Sequence, residues 1–178
     1  QSIIQATTKN AVLTLGTNDI IIKDLKLVGA EGTEKGAGIK IGSQVAINGL
    51  TIENCIIKDF TNGIFADTNK DAKPVVENVH IINSRFINNT LKGIYIEKLS
   101  ESTIENCNFK GNGHEHYAGA GIDINAKYTE YSNIMIKGCT FVDNGTESSY
   151  GGGILIKERG TGDDSSYSSA PATLTNVT

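Results

Sequence analysis

The chain has 178 residues with 20 Gly, 2 Pro, no Trp and a formal net charge of -4, a length that suits one domain able to bury a real core. A mildly acidic chain gains no counterion-release energy on nucleic acid, so DNA and RNA are not expected partners. No apolar run approaches the ~20 residues needed to span a bilayer, and Gln1-Ser2-Ile3 lacks the basic start and apolar stretch of an export signal, so any such signal is expected to have been removed.

Along the chain one short block recurs. The segments 20–25 (IIIKDL), 50–55 (LTIENC), 79–84 (VHIINS), 102–107 (STIENC), 134–139 (IMIKGC) and 172–177 (ATLTNV) superimpose without a gap. Their third positions, Ile22, Ile52, Ile81, Ile104, Ile136 and Leu174, are separated by 30, 29, 23, 32 and 38 residues. An invariant block at a variable period means a fixed structural rung joined by loops of differing length. Two residues after the block stands another apolar position, filled by Leu27, Ile57, Phe86, Phe109 and Phe141. A Gly-Ile-x-apolar segment follows in each repeat, at Gly38-Ile39, Gly63-Ile64, Gly93-Ile94, Gly121-Ile122 and Gly153-Ile154.

Alternation at period two is strand patterning, because successive side chains in a strand point to opposite faces. Strands of two to four residues cannot bury themselves alone. Successive turns must therefore stack in parallel at about 4.8 Å per turn and share one apolar interior. The expected fold is all-β, a single-stranded parallel β-helix of five to six turns forming one domain over 1–178. The residue after the first strand is Asp24, Asn54, Asn83, Asn106, Gly138 or Asn176, the types that tolerate the left-handed backbone of a sharp corner. A leucine-rich repeat has a similar period, but its L-x-x-L-x-L-x-x-N spacing does not fit I-x-I-x-N-C-x-F, and no repeat carries a helical stripe.

Cys55, Cys107 and Cys139 all hold the sixth block position, beside Leu25, Ser84 and Val177. An inward stack of small or apolar residues predicts three buried thiols. In-register stacking at about 4.8 Å holds their β-carbons beyond disulfide distance, and an apolar stack withholds the reactive thiolate. Asn89, Asn112 and Asn144 follow three residues after Phe86, Phe109 and Phe141, and predict a ladder of side-chain amides that ties one bend to the next. Asn88-Asn89-Thr90, Asn144-Gly145-Thr146 and Asn176-Val177-Thr178 fit the glycosylation sequon, which an Asn-rich solenoid produces readily by chance.

The repeats I-x-I-x-N-C-x-F-x-x-N and G-I-x-I resemble the right-handed parallel β-helix repeats of the pectate-lyase-like superfamily over nearly the whole chain. That resemblance implies a right-handed coil and an extracellular or cell-surface location. It also implies an association with polysaccharides, through lyases, galacturonases, epimerases, tailspikes or adhesins. The superfamily's catalytic signatures are largely missing. Asp163-Asp164 is present, without the Asn-Thr-Asp, Gly-His-Gly and Arg-x-Lys of polygalacturonases. Of the two arginines, Arg85 is expected to face outward on a different strand from the acids, and Arg159 lies in a Gly/Ser-rich loop, so neither makes the base of a pectate lyase. No catalytic set is expected; were the chain an enzyme, it would be a polysaccharide lyase or a glycoside hydrolase.

The middle residue of each Gly-Ile-x-apolar strand points outward, giving the row Lys40, Phe65, Tyr95, Asp123 and Leu155. Phe65 and Tyr95 are expected as exposed neighbours about 4.8 Å apart, a platform for a sugar ring. Long loops bring His114, His116, Tyr117 and Tyr150 to one edge, and such loops on a rigid scaffold are where binding concentrates. Asp67-Thr68-Asn69-Lys70-Asp71 opens like a calcium loop, so Asp67, Asn69 and Asp71 are candidate calcium ligands, although Ala72 and Asn78 stand where the loop requires Gly and Glu. His114-x-His116 lacks a third ligand for a transition metal. Gln1 enters partway through a turn and Thr178 follows the start of a block, so the chain is expected to be part of a longer β-helix or a subunit that stacks end to end. Two function classes follow: an extracellular glycan-binding module, or a structural and adhesive stalk.

Overall fold

A computed structural model describes residues 1–32, 36–67, 76–114, 120–127, 132–146, 152–160 and 172–175. Among these every element is a strand, and every strand pairing is parallel. The strands stack into three sheets, each contributed once per turn. The first sheet contains Ser2–Gln5, Leu25–Val28, Ile56–Lys58, Arg85–Ile87, Asn108–Lys110 and Thr140–Val142. The second contains Leu13–Leu15, Ala37–Ile41, Asn62–Ala66, Lys92–Glu97, Ile122–Lys127 and Ile154–Gly160. The third follows the repeated block through Ile20–Lys23, Ile47–Glu53, Val76–Ile82, Ser102–Glu105, Ile134–Lys137 and Ala172–Thr175, with the short Leu99–Ser100 also pairing to Val76–Ile82.

The register is the one the blocks predict. Ile22 pairs with Ile52, Ile52 with Ile81, Ile81 with Ile104, and Ile104 with Ile136. All five are buried, as are Leu27, Ile57, Phe86 and Phe109 on the first sheet and Ile39, Ile64, Ile94 and Ile122 on the second. Each such side chain contributes roughly 1.5–3 kcal/mol by leaving water, and no strand this short could collect that without neighbours above and below. The phenyl rings of Phe86, Phe109 and Phe141 stack with centroids 4.9 and 4.8 Å apart, so the aromatic column rises at the turn spacing.

Asp24, Asn54, Asn83, Asn106 and Gly138 carry φ of 56°, 53°, 51°, 52° and 60°, the left-handed corner expected after the first strand. Two further corners repeat the device. Asp19, Gly49, Asn78, Glu101 and Asn133 all have positive φ three residues before the central block position, and Asp59, Asn88, Gly111 and Asp143 do so two residues after the following apolar position. The first of these corners explains why the strands exceed the expected two to four residues. Ile47–Glu53 and Val76–Ile82 run for seven, because the chain bends at Gly49 and Asn78 yet keeps pairing, and buries Ile47 and Val76 beyond the bend.

The cysteine stack is present and reduced. Cys55, Cys107 and Cys139 are free and buried, and their Sγ atoms donate to Ile22 O, Ile81 O and Ile104 O of the preceding turn at 3.6, 3.5 and 3.6 Å. Burial pushes the Cys55 thiol up, and contact with Cys139 together with burial pushes Cys107 up. Leu25, at the same block position, is only half-buried. A thiol reagent is expected to leave all three cysteines unmodified in the native protein and to label all three in denaturant; fast native labelling would mean the register is wrong.

Candidate functional site

The second sheet presents two outward columns. Lys40, Phe65, Tyr95, Asp123 and Leu155 are cross-strand partners in the first, as the alternation predicts. Two residues further along the strands, Glu97, Asn125 and Lys157 form the second. Exposure falls along the first column: Lys40 is exposed, Phe65 and Tyr95 are half-buried, and Asp123 is only 2% exposed.

This corrects two expectations. Phe65 and Tyr95 are not an open platform, because their rings stack on each other with centroids 5.5 Å apart and planes 21° from parallel. Rings so close and so nearly parallel are stacked with an offset, since rings lying side by side in one plane would collide. The outer sides of the pair carry ammonium groups: Lys40 Nζ lies 5.9 Å from the Phe65 centroid and Lys92 Nζ 5.7 Å from that of Tyr95. The edges, with their partial positive charge, are therefore what the pair turns outward. Asp123 points outward too, but it is no open polar edge. Its Oδ2 accepts from Lys92 Nζ at 2.7 Å, with the two side chains 3% and 8% exposed.

Around that ion pair lies a compact polar group. The Tyr95 hydroxyl donates to Glu97 Oε1 and accepts from Asn125 Nδ2 at 3.3 Å, and Glu97 and Asn125 are both buried. Burial and the bond to Glu97 hold the Tyr95 hydroxyl well above its ordinary pKa, so it remains a donor. Burial moves Lys92 down, offset in part by Asp123. Two acceptors in this group, Asp123 Oδ1 and Asn125 Oδ1, are buried and accept no hydrogen bond from the described residues.

Sequence reasoning missed Lys92, Glu97 and Asn125. The signal was available: Glu97 and Asn125 stand two residues beyond Tyr95 and Asp123, so the same alternation that exposed one column defines the other. Of the remaining predicted residues, His114 is exposed beside the corner at Gly111, and Asp67 follows the strand Asn62–Ala66, half-buried. His116, Tyr117, Tyr150, Asn69 and Asp71 lie outside the described residues. Among the described residues no three His, Cys, Asp or Glu side chains come together as a metal site, and no helix is long and apolar enough to cross a membrane.

Three parallel sheets sharing one interior, with corners formed by left-handed Asn, Asp and Gly, define a parallel β-solenoid. The chain belongs to the family described as the right-handed β-helix region, whose model matches residues 1–170. No curated protein and no solved structure matches it.

Proposed function

We propose that the chain is an extracellular glycan-binding β-helix module whose site is the outward face of the second sheet. The observation that carries this reading is the pair of buried acceptors, Asp123 Oδ1 and Asn125 Oδ1, to which no described residue donates. Buried acceptors left unpaired cost about 1–3 kcal/mol each, and a hydroxyl that reaches them as the covering side chains part recovers it. Lys92 already neutralises the charge on Asp123, so a cation gains little there and a neutral hydroxyl suits the site better. The half-exposed edges of Phe65 and Tyr95, with Lys40 before them, extend the surface along which a hydroxyl-rich chain would lie. Cleavage is not part of the reading, because the carboxylate of Asp123 is tied to Lys92 and the acid on the neighbouring column, Glu97, is held by the Tyr95 hydroxyl.

Retention of the protein on a panel of neutral and acidic polysaccharides, with and without calcium, tests this. The wild type is expected to be retained by at least one polymer. Phe65→Ala and Asn125→Leu are each expected to weaken that retention about tenfold, roughly one lost hydrogen bond or ring contact. Tyr95 is a poorer probe, because its hydroxyl holds Glu97 and Asn125 in place. Wild-type protein retained by no polymer would favour the stalk, with internal water satisfying the two oxygens. Release of unsaturated or reducing-end products would show catalysis.

A further inference from the structure

We infer that Lys92 and Asp123 become joined through their side chains by an amide, a cross-link between neighbouring turns that the folded chain forms by itself. Lys92 Nζ lies 2.7 Å from Asp123 Oδ2, with the two side chains 8% and 3% exposed. They sit on adjacent strands whose register is fixed by Ile94 against Ile122 and Tyr95 against Asp123. The Tyr95 ring adds apolar cover 5.7 Å from the nitrogen. Nucleophile and electrophile are thus held in contact by a rigid sheet, which makes a slow bimolecular reaction effectively unimolecular.

The surroundings weaken the ion pair. A buried ion pair is stable only where the remaining lone pairs are satisfied, and Asp123 Oδ1 is buried with no donor among the described residues. A carboxylate there holds charge on an oxygen to which no described residue donates, and that raises the cost of the pair. Burial also disfavours the charged form of Lys92, and the neutral amine is the nucleophile.

The step balances without a co-reactant. A proton passes within the pair from ammonium to carboxylate, and the nitrogen lone pair then adds to Asp123 Cγ, forming the C–N bond. The tetrahedral intermediate breaks the C–O bond to the acid hydroxyl, which leaves as water with one proton from nitrogen. No atom changes oxidation state, and the product is an uncharged amide in a site from which water is largely excluded, so hydrolysis back is slow. The one remaining oxygen is a carbonyl acceptor, so the cross-link and the glycan site are compatible and fail independently.

Intact-mass measurement of the purified full chain, followed by peptide mapping, tests the cross-link. The expected mass is one water below the sum of the residues, with a branched fragment joining the segments that contain Lys92 and Asp123. The loss should vanish in Lys92→Met and in Asp123→Ala. A wild-type mass equal to the full sum would overturn the proposal, as would a loss mapping elsewhere, such as ammonia from cyclised Gln1. The wild-type measurement decides the matter whether or not the variants fold.

Discussion

Gly93→Ala is expected to destabilise the protein by about 3 kcal/mol or more, seen as a large fall in the urea midpoint of unfolding, although it adds a single methyl group. A β-carbon at Gly93 would stand 2.6 Å from the carbonyl oxygen of Gly121 and 2.9 Å from Cδ1 of Phe109. The first of these is backbone of the next turn and cannot swing aside. The same collision recurs along the column, 2.4 Å from Gly93 O at Gly63 and 2.4 Å from Gly153 O at Gly121. The repeated glycine thus lets neighbouring turns approach while the stacked phenyl rings lie against them. Gly16, whose β-carbon would meet nothing within 4 Å, provides the control, and Gly16→Ala should leave the midpoint within about 0.5 kcal/mol of wild type. Equal midpoints for Gly93→Ala and wild type would contradict the stacking described.

The second large effect is expected at Asn112, replaced by leucine, whose side chain has the same branched arrangement of heavy atoms. Asn112 is fully buried. Its Oδ1 accepts from Asn89 N at 3.1 Å and Asn89 Nδ2 at 2.9 Å, and its Nδ2 donates to Phe86 O at 3.0 Å and Asn144 Oδ1 at 2.8 Å. Leucine fills the space but leaves several buried partners without a bond, at about 1–3 kcal/mol for each, and a loss of about 4 kcal/mol is expected. Denaturant unfolding measures it. Asn144→Leu, at the half-buried end of the same ladder, should cost less than half as much. If the two variants are alike, the ladder is not cooperative across turns.

The contrast between these positions explains how far the sequence could be read. The block positions are constrained on every turn by the same two neighbours, so Ile22, Ile52, Ile81, Ile104 and Ile136 declare the register by repetition. Asn89, Asn112 and Asn144 do likewise, since an amide that bonds to its copy one turn away must recur. The second and third corners escaped notice because several residue types satisfy them: Asp19, Gly49, Asn78, Glu101 and Asn133 share a backbone conformation without sharing a side chain. The outward face was legible only in direction. That Phe65 and Tyr95 point away from the core follows from alternation. That their faces are spent on each other, and that Lys92 reaches across to close over Asp123, depends on contacts between turns that no single strand encodes.

The parallel ladders also decide how this molecule carries load. The backbone ladder bonds between turns point along the solenoid axis, and among the described residues each strand pairs only with strands of the turn before and the turn after. A pull along the axis places these bonds in tension, and turns peel away in sequence, each at a modest force and each lengthening the tether by its own loop, except the two that the proposed Lys92–Asp123 amide joins. Compression meets a different resistance, because neighbouring turns are already so close at Gly63, Gly93 and Gly121 that a β-carbon there would meet the next turn's carbonyl oxygen at 2.4–2.6 Å. The solenoid is weak as a rope and stiff as a strut, suited to holding two things apart more than to holding them together.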